Sequence, residues 1–230
     1  MLDDPKFVIK SIPGKGIGVV ATSPITKGEV VLSEAPLFIQ PISGDEHTIA
    51  ASLSTKTADE RRQFFELTNC SSYQKLPRLE GIFKTNAFPC GSHNAHERAF
   101  KAGIFLQGSR FNSSCVPNVN NYWSEKKQAI GFRALRDIEE GEELCITYIS
   151  EMKSRASRQL ELQEKFAFEC HCDACSLLGD ELHFSDLRRI TLGRLYDESG
   201  KCGPALGVQE VWCSRNLPHH ASDLNFAPGR

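Results

Sequence analysis

The sequence predicts a mainly β domain with a helical insert, closed by a cysteine-rich C-terminal segment. Three observations carry that expectation. Short runs rich in β-branched residues gather around glycine turns near the start of the chain and return after about residue 103. Between them, at about residues 42–100, the pattern turns charged and helix-prone. Further on, Cys170, Cys172 and Cys175 stand in a C-x-C-x-x-C array, a spacing at which three thiolates occupy three corners of a tetrahedral zinc site.

Taken in order, residues 7–9 and 18–21 read as strands on either side of a glycine-rich turn, and residues 30–38 read as a longer strand introduced by Lys27-Gly28. Within the insert, residues 57–67 form a helix, residues 82–86 a second and residues 93–101 a third. Residues 103–106 return to β character. Tyr122-Trp123 and residues 129–135 flank Ser124-Glu125-Lys126-Lys127 as a hairpin, and an acidic turn leads into a strand over residues 144–148. A helix over residues 154–165 precedes the cysteines, and a short one over residues 185–196 follows them. From about residue 199 the periodicity stops, and the tail reads as unstructured.

The 230 residues suffice for one cored domain with an insert and a tail. A net charge of -2 carries no electrostatic footprint for nonspecific nucleic-acid binding. The acidic start Met1-Leu2-Asp3-Asp4-Pro5 lacks the apolar core of a signal peptide, and no apolar stretch reaches membrane-spanning length. The expectation is a protein of the nucleus or cytoplasm, not secreted and not in a membrane. In such a reducing compartment the nine cysteines act as metal ligands and buried thiols rather than disulfides.

A zinc held by the cysteine array needs a fourth ligand. Cys115, in Arg110-Phe111-Asn112-Ser113-Ser114-Cys115-Val116-Pro117-Asn118, is preferred, because Pro117 and the asparagines suggest a fixed, irregular loop. His171, Cys145, Cys202 and Cys213 are also available. Four protein ligands leave no open coordination position, so the metal is structural.

The turn Gly14-Lys15-Gly16-Ile17-Gly18 is followed by β-branched Val19-Val20 rather than a helix, which excludes a dinucleotide fingerprint. It fits a plain hairpin turn and a ligand-approaching loop equally well, with Lys15 as a cation in the second case. Asn112 and Asn118, taken alone, are turn residues. Tyr148, taken alone, is a half-buried tyrosine. Glu139, Glu140, Glu142 and Glu143 read as a solvated loop.

Together and in this order, the segments resemble the SET-domain protein lysine methyltransferases. They are a G-x-G turn, R-F-N-x-S-C-x-P-N, E-G-E-E-L-x-I-x-Y and F-x-C-x-C-x-x-C, with Lys84-Thr85-Asn86-Ala87-Phe88 ahead of the central motif. The similarity covers about residues 7–176 and is strongest to the branch of the SET-and-MYND proteins and short fungal SET proteins, without a MYND finger. The resemblance implies small twisted β-sheets around a pseudoknot, in which the segment 112–118 passes under a loop near Tyr148. It divides the chain into a SET domain at residues 1–150 with its insert, a helix and cysteine-rich post-SET zinc segment at residues 151–180, and a short helix with a disordered tail at residues 181–230.

The same resemblance implies S-adenosylmethionine as methyl donor, contacted by Lys15, Gly16, Ile17, Asn86, Asn112, Ser113, Tyr148 and Phe168. It makes Tyr148 the catalytic residue, Phe166 and Tyr148 the walls of the substrate lysine channel, and Cys115, Cys170, Cys172 and Cys175 the ligands of one structural zinc. The partner is a protein or peptide carrying a lysine, histone or non-histone, with no direct nucleic-acid contact, and the chain acts as a monomer. Two positions depart from the family pattern: Ser113 stands where histidine is usual, and Phe166 where tyrosine is frequent. A noncatalytic SET fold serving as a binding or scaffold module is the alternative.

Overall fold

The computed structural model describes residues 5–91 and 100–198. Its strands form four small sheets. β1 (Phe7–Ile12) and β2 (Gly16–Ala21) are an antiparallel hairpin. Gly14 and Gly16 take φ of 74° and 78° at its turn, a region open to glycine, and so they fix Lys15 at the tip. The run expected as one strand over residues 30–38 is instead two. β3 (Val30–Glu34) joins β8 (Val119–Ser124) and β9 (Ala129–Ala134) in the order β3-β9-β8. β4 (Phe38–Pro41) joins β5 (Phe88–Cys90) and β6 (Lys101–Ile104) in the order β4-β6-β5. Pro36 lies in the gap, where its missing N–H cannot serve a ladder and the chain changes sheets. The hairpin expected around Ser124–Lys127 is β8–β9.

The insert holds α1 (Glu46–Ser54), α2 (Ala58–Phe65) and α3 (Arg78–Asn86). α2 opens on a capping box, with Thr57 accepting from Glu60 N and the Glu60 carboxylate accepting from Thr57 N. The insert is not helical to residue 100, because β5 returns to strand at Phe88. The helix expected over residues 93–101 lies outside the described residues up to 99, and β6 begins at Lys101. Phe38, Ile49, Phe64, Phe83 and Ile104 bury the helices against β4 and β6, with the Phe38 and Phe83 rings stacked 6.0 Å apart. A second core joins the other sheets through Val19, Phe105, Phe111, Phe132, Leu144 and Ile146. There the Phe111 and Phe132 rings stack at 4.3 Å.

The crossing that positions the site is a parallel pair of two residues each, β7 (Asn112–Ser113) and β10 (Cys145–Ile146). The strand expected over residues 144–148 is reduced to that pair. Side chains carry what so short a ladder cannot. Asn118 Nδ2 donates to Glu143 O at 2.9 Å and its Oδ1 accepts from Cys145 N at 2.8 Å. One buried amide thus ties the end of the central motif to the strand above it.

α4 (Arg155–Phe166) starts where expected, capped by Ser154, and ends on Ala167 in the left-handed conformation at φ 55°. After a single helical turn, α5 (Asp173–Ser176), comes α6 (Gly179–Glu198), 20 residues long. The expected helix over residues 185–196 is therefore too short at its start, where Asp180 and Glu181 complement the helix dipole. The tail from residue 199, with Cys202 and Cys213, lies outside the described residues. Among the described residues, no helix is long and apolar enough to cross a membrane.

Candidate active site and metal centre

Six separate segments meet around a cavity of about 310 Å³, one of them the stretch of Thr68 and Cys70, within the range of small-molecule sites. The hairpin tip gives Lys15 and Ile17, and the end of α3 gives Asn86. Residues 109–113 give Asn112 and Ser113, the stretch after β10 gives Tyr148, and the exit from α4 gives Phe166 and Phe168. Of the sequence-predicted site residues outside the cysteine set, Gly16 alone is off the cavity wall; its part is the turn that presents Lys15.

The polar wall is organised by Glu143, which the sequence had suggested was merely part of a solvated loop. Its Oε2 accepts from Lys15 Nζ at 2.6 Å and its Oε1 from Asn112 Nδ2 at 2.9 Å. Gly18 makes the approach possible, since a Cβ there would lie 2.6 Å from Asn112 Nδ2 and 2.6 Å from Ile12 Cγ1. Asn86 is buried and commits its amide nitrogen to Thr68 O and Ile82 O, both at 2.7 Å. With its hydrogens so placed, Asn86 can only accept from a ligand.

Also on the wall, the Tyr148 hydroxyl donates to Phe111 O at 2.7 Å. Its one proton is thus committed, and its lone pairs remain for a partner. Burial holds the phenol above its ordinary pKa, so it stays protonated. The ring packs 4.9 Å from Phe166 and 6.4 Å, edge to face, from Phe168. Ser113 has a task of its own: its Oγ accepts from Tyr148 N at 3.2 Å. Sequence reasoning passed over Thr68, Cys70, Thr85 and Arg110, which also line the cavity. Arg110 and Thr85 lie inside quoted segments, but Thr68 and Cys70 belong to the insert with no motif around them, and only the fold brings them in.

Cys115, Cys170, Cys172 and Cys175 come together behind Phe168, their sulfurs all within 4.8 Å of one another. Cys115 Sγ lies 4.0 Å from Cys170 Sγ and 3.6 Å from Cys175 Sγ. Four thiolates about 2.3 Å from a zinc ion would stand about 3.8 Å apart, so the cluster is compatible with zinc. Cys145 and His171, open as fourth ligands on the sequence, are not in the cluster. Cys145 and Cys90 are instead buried thiols pushed up to about 12 by desolvation. The frame is firm: Gln159 of α4 donates to Cys170 O at 2.7 Å and accepts from Cys170 N at 2.9 Å, and Leu162 is fully buried against the sulfurs.

Comparison with known proteins now decides the family. The SET domain model matches residues 16–149. The chain belongs to the SET-domain family. It is 37% identical over 194 residues to histone-lysine N-methyltransferase set5 of Schizosaccharomyces pombe, covering 84% of this chain and 57% of that protein. It is 33% identical over 103 residues to histone-lysine N-methyltransferase ASHR2 of Arabidopsis thaliana, covering 41% of this chain and 26% of the relative. With human protein-lysine N-trimethyltransferase SMYD5 it shares 39% identity over 83 residues, 35% of this chain and 20% of the relative. The chain thus spans little more than half the length of its fission-yeast relative. The four small sheets with their helical insert, and the cysteine cluster behind the cavity, agree with the SET fold that the motif series implies.

Proposed function

We propose that the chain is an S-adenosylmethionine-dependent methyltransferase acting on the ε-amine of a protein lysine, with one structural zinc held by Cys115, Cys170, Cys172 and Cys175. The observation that carries this reading is one cavity lined by Lys15, Asn86, Asn112 and Phe168 together with Tyr148 and Phe166. The first group suits a zwitterionic, aromatic ligand: a cation, an amide acceptor and an exposed ring edge. The second suits an extended amine. The methyltransferase names of the relatives point the same way.

When bound, the donor supplies an electrophilic methyl group on a positively charged sulfur. The chain's residues have to present a neutral amine to it. At pH 7 about one free lysine in two thousand is neutral, and the apolar walls of Phe166 and Tyr148 disfavour the charged form by desolvation. With its proton on Phe111 O, the Tyr148 oxygen would accept from the amine N–H and so orient the nitrogen. Alignment of the two reactants, rather than acid–base exchange with a side chain, supplies the rate. Lys15, now paired with Glu143, would take the donor's carboxylate, Asn86 would accept from its amine, and Phe168 would cover its purine. Cys170, Cys172 and Cys175, held with Cys115 on one ion, would clamp the chain just beyond Phe166 and Phe168.

The free thiols Cys70, Cys90 and Cys145 favour a reducing compartment, nucleus or cytoplasm. A noncatalytic scaffold remains the rival reading. Calorimetry with S-adenosylmethionine, followed by a methyl-transfer assay on a lysine peptide array read by mass, separates the two. Binding and mass gain support the enzyme; no binding at millimolar donor sinks it.

A further inference from the structure

Arg158 is the largest fully buried side chain among the described residues. An arginine cannot shed its charge, so burial demands a counter-charge close by. Its bonds are few. Nη1 donates to Lys153 O at 2.6 Å, Nη2 lies 3.8 Å from Cys175 Sγ, and Nε has no partner. The carboxylate of Asp186, on α6, is 3.7 Å from Nη1. That oxygen already accepts from Arg155 N at 2.8 Å and is partly solvated, so it is a loose partner. The other group against which the guanidinium is pressed is the Cys175 sulfur, an anion once it ligates a metal.

The cysteine cluster has the complementary problem. Four thiolates exceed the two positive charges of a zinc ion by two, in a pocket closed by Ile149 and Leu162. An excess of negative charge in so apolar a setting weakens the centre unless a donor offsets it. We propose that Arg158 is the internal counter-cation of this metal centre. Its guanidinium donates to Cys175 Sγ, spreads the thiolate charge and holds the ion against loss. The inference rests on reading the cluster as a zinc site. The competing role for Arg158 is mechanical, as an anchor for α6 through Asp186.

Zinc release separates the two roles. The full chain is purified with its metal, its zinc content is measured, and release to a chromophoric chelator is timed for wild type, R158M, R158K and D186N. Loss of Arg158 in R158M speeds release about 10- to 100-fold, as loss of an outer-shell partner does at other metal sites. R158K, which keeps the charge but not the planar fork, falls between R158M and wild type. D186N, which removes the carboxylate charge on α6 and leaves the sulfur contact, releases no faster than wild type. Equal rates for R158M and D186N, or an R158M rate equal to wild type, overturn the inference. Where R158M does not fold, R158K decides: release faster than D186N supports the counter-cation, and release equal to D186N overturns it. A wild-type chain that binds no zinc removes the metal reading and this inference together. Zinc-loaded wild type with an unaltered R158M removes this inference alone.

Discussion

Replacing Tyr148 by phenylalanine isolates one oxygen. The ring stays, held 4.9 Å from Phe166 and 6.4 Å from Phe168, and Ser113 Oγ still receives Tyr148 N at 3.2 Å. What is lost is the hydroxyl at 2.7 Å from Phe111 O. The carbonyl left without its donor costs about 1–3 kcal/mol of stability. The substrate amine loses its orienting acceptor, and a misplacement of about 1 Å in such a reaction costs about 100-fold in rate. Lys15, Asn86 and Asn112 are untouched, so donor affinity changes by less than about threefold, under about 0.7 kcal/mol. Single-turnover methyl transfer measured by mass gives the first quantity and calorimetry the second. A proportional loss of donor affinity and rate would show that Tyr148 serves the donor pocket and not the amine; an unchanged rate would remove it from the chemistry.

Stripping the metal with a strong chelator should abolish methyl transfer and raise hydrogen exchange first in α4 and α6, because the cysteine cluster carries the C-terminal core; full activity in a preparation shown to be zinc-free refutes this. Gly18→Ala should cost about 1–3 kcal/mol by overpacking, since its Cβ meets Asn112 and Ile12 at 2.6 Å each. It should also raise the donor KM more than it lowers kcat, and a melting temperature equal to wild type would mean that those neighbours yield freely. The methyl-transfer rate should climb with pH by up to about tenfold per unit between about pH 7 and 9, as the neutral lysine fraction grows. Burial raises the Tyr148 pKa, so the phenol keeps its proton to higher pH than usual and adds no falling limb in that range. A falling limb there that Tyr148→Phe abolishes contradicts this.

Motifs were legible where their function is written in adjacent residues. The glycine turn, the Asn112-to-Asn118 segment and the C-x-C-x-x-C array each fix local geometry by residue type, and the cavity and cluster contain them. The break at Pro36 was legible in principle, but the apolar run on both sides of it masked the change of sheet. Glu143 was misjudged because four neighbouring glutamates look alike in sequence. Only the fold turns this one inward to Lys15 and Asn112, while Glu142 pairs with Arg136 at the surface. Arg158 carried no signal at all: in α4 it is one of several charged residues, and its burial comes from α6 and the cysteines closing over it.

The cavity is assembled from segments up to about 150 residues apart in sequence, yet the β7–β10 ladder at the crossing is two residues long. So short a pairing cannot by itself repay the entropy of closing loops of that length. The difference falls to side chains that each bind two backbones or two segments at once: Asn118 between the central motif and β10, Glu143 between the hairpin tip and β7, and the four cysteines between Cys115 and the chain after α4. Asn118 is of a type that favours turns over regular elements, and Glu143 is of a type depleted in strands. The residues that close this site are therefore those that secondary-structure propensity would pass over. Their loss should open the cavity before it unfolds the sheets, since the two aromatic cores around Phe111–Phe132 and Phe38–Phe83 do not include them.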